Sequence, residues 1–224
     1  MFRWMTSVPV LGFLLRITNT YAYTGDYKAA YEFAGVLRWG KAFAFPLLIA
    51  CALTVATIWS VLTAAYQCHM LTFAAASDFM KKPGALIVAV NPCLLGFGIG
   101  VYALIFGLAE PFVRQFKALI EQEKRTGTLS HGSELMLNSD LAFPLIVLVI
   151  AIATGALQQA NEGSVTLILV AWVAFWYSMV VMIEMISVIF RLAENSLLDK
   201  GLVSEIRPHS EPDQPDRQPD KHSE

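Results

Sequence analysis

Chemistry inside a mostly apolar chain has few places to start, and the first is Glu184. It is the one formal charge within four apolar runs, roughly 42–67, 85–109, 141–157 and 165–190. Carboxylates in such runs are costly and often mark proton or ion paths. Glu184 stands six residues before Phe190, about 9 Å along a helix. That depth is nearer an interface than a midplane, within reach of headgroups, water or the Ser187 hydroxyl. A pump would want a second acidic or basic group at matching depth, and the runs contain none. Asn91, the other strongly polar residue singled out inside a run, falls in the opposite half. Two readings stay open: Glu184 serves structure and assembly, or it couples to protons or ions.

The hydroxyls Thr54, Thr57, Ser60 and Thr63 recur every three residues. A step of three drifts by about 60° on a helix, so they fan over almost half its surface. Such hydroxyls commonly bond their own carbonyls or a neighbouring helix; a polar pore lining is the alternative. Cys51 and Cys93 read as small apolar fillers. Cys68-His69 has no further ligand close in sequence except Asp78, so it reads as interfacial, not as a metal site. His69, His131, His209 and His222 are scattered. No nucleophile–base pair, carboxylate pair or metal cluster is assembled by the sequence. It therefore predicts no enzyme, no catalytic residue, no metal, no cofactor and no small-molecule substrate.

Glycines offer a different chemistry, that of close approach. In Gly96-Phe97-Gly98-Ile99-Gly100 a phosphate-binding loop would need a preceding strand and a βαβ context, and neither is present. Gly96 and Gly100, four apart, instead form a flat strip that admits another helix. Whether that helix belongs to the same chain stays open. Ala151 and Gly155 form a second small pair, and Asn91-Pro92 places a helix breaker beside an amide donor.

These residues need elements to hold them, and composition names the kind. Of 224 residues, 56% are hydrophobic and 15% charged, with a mean hydropathy of +0.54. A soluble domain carries about 45–50% apolar and about 25% charged residues. A bilayer-crossing helix needs about 20 mostly apolar residues. The expected fold class is an all-α membrane protein, with four transmembrane helices plus interfacial amphipathic helices. A water-soluble globule, a coiled coil and a disulfide scaffold are excluded. The net charge of −2 leaves no basic surface for nucleic acid. Fourteen of the sixteen Lys and Arg fall in segments 1–41, 110–140 and 191–224, which share one side of a four-span layout. Lys and Arg are retained in the cytoplasm, so both termini are expected there, at a bacterial inner membrane.

Residues 4–15 imitate a signal peptide, but Arg16 interrupts the run, Pro9 and Gly12 weaken a helix, and no cleavage motif follows. They are expected to lie on the membrane face, with the arginines near anionic lipid. Thr24-Gly25-Asp26 reads as a helix start, and 27–41 as a membrane-hugging helix continuing into the first span, so 1–41 forms a cytoplasmic and interfacial region. The membrane domain covers 42–190. Within its cytoplasmic loop 110–140, Phe112, Val113, Phe116, Leu119 and Ile120 repeat at helical spacing, with Arg114, Lys117, Glu121 and Lys124 between them. That amphipathic helix lies on the leaflet or docks a cytoplasmic partner. Residues 126–140 read as a polar loop, Pro144 as a first-turn proline, 191–203 as a helix extension stopping at Gly201. The Pro-Asp-rich tail 204–224 reads as disordered.

In size, in its opening MFRWMTSVPV and in a hydrophobic chain with a charged tail, the sequence resembles small inner-membrane proteins encoded by conjugative plasmids of the IncI and IncL type. Those include entry-exclusion and transfer-apparatus components. The resemblance implies a protein that meets a secretion-channel component of a mating partner and blocks redundant DNA entry. The expected role is non-catalytic, through helix packing with membrane lipid, other integral membrane proteins or a second copy. A small channel or ion-coupled transport subunit built on Glu184 is the alternative.

Overall fold

A computed structural model describes residues 9–23, 27–68, 73, 76–107 and 134–206. Every regular element among them is helical: α1 Pro9–Ala22, a 3-10 turn Tyr27–Ala30, α2 Val36–Thr57, α3 Trp59–Cys68, α4 Asp78–Lys81, α5 Pro83–Gly107, α6 Glu134–Ala160 and α7 Val165–Ile206. Four segments, Val36–Thr57, Pro83–Ile105, Leu137–Ala160 and Val165–Arg191, are long and apolar enough to cross a membrane. The chain is an all-α, multi-pass membrane protein. It divides into two compact units, Met1–Met185 and Ile186–Glu224. The second consists, among the described residues, of the C-terminal part of α7. The geometry below is that of the first.

Several boundaries differ from those the hydropathy suggests, each for a local reason. The run 42–67 is not one helix: α2 starts earlier, at Val36, and ends at Thr57, with Ile58 between it and α3. Thr54 and Thr57 donate their hydroxyls to the carbonyls of Ala50 and Leu53, each at 2.8 Å, and such back-bonding competes with the helix ladder and bends it. Residues 27–41 do not run on as one helix; a 3-10 turn and an extended stretch precede α2. α1 covers Pro9 and Gly12 without interruption, since proline is tolerated where a helix begins. At the other end α7 passes Gly201 and reaches Ile206. A helical glycine costs only about 1 kcal/mol relative to alanine, so Gly201 need not end the helix.

The largest shift is in α6, which begins at Glu134, so Asp140 is helical, not part of a polar loop. Pro144 is correspondingly interior and removes the amide that would bond the Asp140 carbonyl. Thr24-Gly25-Asp26, residues 108–133 with Phe112, Val113, Phe116, Leu119 and Ile120, and the tail beyond Ile206 lie outside the described residues.

Buried clusters among the described residues hold the first unit together. One joins Ile58, Ile87, Ala151, Ile168, Trp172 and Phe175; another joins Ile17, Ala142, Phe143, Val147 and Val181; a third joins Ala22, Tyr23, Ala29 and Ala34. The core is shared unevenly among the spans. Of the third and fourth spans 50% and 39% are buried, against 17% and 22% of the first and second. Among the described residues, α2 and α5 therefore contribute less to the core than α6 and α7.

Polar side chains close the unit where backbone must turn. Fully buried Asn19 donates from Nδ2 to the carbonyls of Ala29 and Glu32, both at 2.9 Å, and its Oδ1 accepts from the Ala34 amide at 2.8 Å. One side chain thus satisfies three backbone groups of the link into α2. Fully buried Gln158 does comparable work at the start of α5, its Oε1 accepting from the Gly84 amide at 2.9 Å and its Nε2 donating to the Lys81 carbonyl at 3.3 Å. The Trp172 indole adds a donor to the Met80 carbonyl at 3.0 Å.

Candidate functional site

Glu184 sits on α7 where α1 and α6 meet it. The Tyr21 hydroxyl of α1 donates to Glu184 Oε2 at 3.2 Å. The Tyr21 ring stacks on Phe143 of α6 at 4.2 Å and lies 5.6 Å from Phe43 of α2, which fixes its hydroxyl against the carboxylate. Asp140 of α6 is near enough to Glu184 for the two charges to interact, and so is Tyr177. The carboxylate is therefore not isolated. A second carboxylate, Asp140, lies in its electrostatic neighbourhood, hidden from sequence reasoning because an apolar run marks the bilayer and not the helix. Burial, and after it the Glu184 charge, hold the Tyr21 phenol above its ordinary range. A carboxylate accepting from a phenol, with a second carboxylate beside it, is a set of groups able to hold and pass a proton.

The hydroxyls of the first span line no polar path among the described residues. Thr54 and Thr57 bond back to their own helix, Thr63 donates to the Ser60 carbonyl at 2.9 Å, and the Ser60 hydroxyl points to Met80 Sδ at 3.6 Å. Thr57 also accepts from the Trp176 indole at 3.0 Å, tying α2 to α7. Asn91 is fully buried; its Nδ2 donates to Ser178 Oγ at 3.2 Å, joining α5 to α7, while Oδ1 has no partner among the described residues.

The glycines fall into two groups. A Cβ on Gly155 would meet Ile87 Cβ and Cγ2 at 2.9 Å, and one on Gly84 would run into the Gly155 carbonyl. Here α5 and α6 approach closely, and Ala151, 1% exposed, lies in the same seam. A Cβ on Gly98 would meet Leu145 Cδ2 at 2.5 Å. Around Gly96 and Gly100 nothing among the described residues lies within 4 Å of that position. Their strip faces away from the described helices, flanked by exposed Phe97 and Ile99. Gly98, hidden between them in sequence, is the one that takes intrachain packing.

Cys51 and Cys93 are exposed and free, and no group of three His, Cys, Asp or Glu among the described residues could hold a metal. Asn19, Gln158 and Asp140 were not singled out in the sequence; an amide or acid bordering an apolar run was the available signal. No family model, no curated protein and no solved structure matches the chain.

Proposed function

We propose that the protein is a non-catalytic, multi-pass membrane protein that works by packing against helices of other membrane proteins or of a second copy. The supporting observation is the outward Gly96/Gly100 strip on α5, with no neighbour among the described residues and carried by a span of which 22% is buried. Backbone can approach such a strip closely, and dispersion at short range is what drives helix association where lipid is as apolar as the side chains. The charge partition supports placement in a bacterial inner membrane with both termini cytoplasmic. A role in plasmid entry exclusion or conjugative transfer rests on the resemblance of layout and opening sequence. Affinity purification from mild detergent tests the packing role. The Gly96→Leu/Gly100→Leu chain should keep its helicity and lose its co-purifying membrane partner; an unchanged partner refutes the reading.

The second reading, a small channel or ion-coupled subunit, is favoured by Asp140 and Tyr21 at Glu184. In that case Glu184→Gln abolishes ion or proton flux in proteoliposomes. Partner capture unaffected by Glu184→Gln, together with no flux in the wild type, rules it out.

A further inference from the structure

A groove of about 260 Å³ opens between α1, α2, α6 and α7 of the first unit. Aromatic rings of all but α1 line it, Trp39 and Phe43 of α2, Phe143 of α6 and Tyr177 of α7, and no Lys, Arg or His among the described residues does. Drug-sized ligands usually fill about 300–1,000 Å³, so the occupant is small. The walls are almost wholly apolar, so it is lipophilic as well.

The helices that form the groove carry its walls toward acid. On α6 the lining residues Phe143, Val147 and Ala151 share a stripe, and Asp140 stands on that stripe one turn before Phe143. On α7 the lining residues Ala174 and Tyr177 are followed along the same stripe by Glu184. On α1 the lining Thr18 precedes Tyr21 by one turn, and the Tyr21 hydroxyl donates to Glu184 Oε2 at 3.2 Å. α6 and α7 run antiparallel: Ala151 clusters with Ala171, Trp172 and Phe175, whereas Phe143 and Val147 cluster with Val181. The three stripes therefore reach Asp140, Glu184 and Tyr21 at one and the same end. Asp140 and Tyr177 both feel the Glu184 charge there, and no ion pair among the described residues involves either carboxylate.

A hard metal ion wants several oxygen ligands, which apolar walls lack. A neutral hydrocarbon would fill the groove and leave two carboxylates uncompensated inside a membrane, where lone charge is costly. Aromatic rings beside carboxylates suit an organic cation, which the rings attract through their quadrupoles and the acids through their charge. We propose that the groove binds a small lipophilic cation, its quaternary ammonium group toward Asp140 and Glu184 and its apolar body among Trp39, Phe43 and Phe143. The site goes beyond both readings above. None of its lining comes from α5, and it uses Glu184 to hold a ligand, with no need for flux.

Isothermal titration calorimetry of the full chain with benzyltrimethylammonium, in a neutral maltoside detergent, tests this. One saturable site per chain is expected. Choline, which keeps the ammonium group and lacks the aryl body, should bind at least about 10-fold more weakly. Glu184→Gln and Asp140→Asn should each weaken benzyltrimethylammonium about 10-fold, the order of one charge acting across a partly buried site. Tyr177→Leu should weaken it about 3- to 10-fold, the order of one cation–π contact. Ala174→Phe fills the groove and should abolish binding. Variants are compared at equal helicity and monodispersity, and the two isosteric acid substitutions decide if Ala174→Phe does not fold. Equal affinity of wild type and the Asp140→Asn/Glu184→Gln chain overturns the site. So does choline bound as tightly as benzyltrimethylammonium, or a wild type with no saturable binding. Absence of flux in proteoliposomes removes the ion-coupled reading and leaves this site standing.

Discussion

The two faces of α5 carry the same residue type and meet opposite surroundings. On one, Gly84 and Gly98 are pressed against α6, and Asn91 reaches Ser178 of α7. On the other, Gly96 and Gly100 meet nothing among the described residues of their own chain. A small residue in a span therefore records that a backbone comes close, without recording whose. The inward face is spent on the fold. The outward face is the one the proposed packing role would use.

The strongest way to break this contrast is to put a methyl group where α5 and α6 touch. In Gly84→Ala the new carbon collides with the Gly155 carbonyl and crowds Gln158 Oε1, which accepts the Gly84 amide. Gly155→Ala drives it into Ile87 Cβ, an atom fixed to the backbone. Neither obstacle is the loose end of a side chain, so the helices must separate. Each substitution should cost about 3 kcal/mol, the upper end of the usual overpacking penalty, read as a loss of stability in unfolding titrations followed by circular dichroism. Unchanged stability in either would contradict the seam.

Gly98→Ala sits one step lower. Its obstacle is Leu145 Cδ2, the tip of a side chain that can turn, so the cost should be about 1–2 kcal/mol. Asn91→Leu comes next. It removes one interhelical hydrogen bond and with it an oxygen that has no partner among the described residues, and interhelical bonds of this kind average about 0.6 kcal/mol with a maximum near 1.7. A loss of about 1 kcal/mol or less is expected, and a cycle with Ser178→Ala isolates it. Near-zero coupling in that cycle would assign Asn91 a role other than joining α5 to α7.

Some of this was legible before any geometry. Four runs holding a single carboxylate, Glu184, can hardly be anything but spans, because each unpaired backbone group in lipid must be satisfied within its own helix. Helix ends were less legible, since hydropathy delimits the bilayer and not the hydrogen-bond ladder; α6 starts at Glu134 and brings Asp140 to Glu184. The phase of α5 was hidden for another reason. That helix is apolar on every side, so no polar stripe tells which way Gly96, Gly98 or Gly100 turns. Asn19 and Gln158 escaped notice because their value lies in backbone groups contributed from elsewhere in the chain.

The smallest expected effect is the most discriminating, because it reverses sign. Gly96→Ala and Gly100→Ala make the same chemical change as Gly155→Ala, yet the added carbon meets open space. Alanine is the better helix former by about 1 kcal/mol in an exposed helix, so each variant should unfold no more easily than wild type, and up to about 0.5 kcal/mol less easily. Destabilisation of the isolated chain by either would place an intrachain neighbour on the outward face and collapse the distinction between the two faces. The same two variants, measured for partner capture, should show the opposite trend. A methyl group on the strip holds an approaching helix farther away, and short-range packing falls steeply with distance. A chain made more stable alone and weaker in company is the signature of a face reserved for another helix.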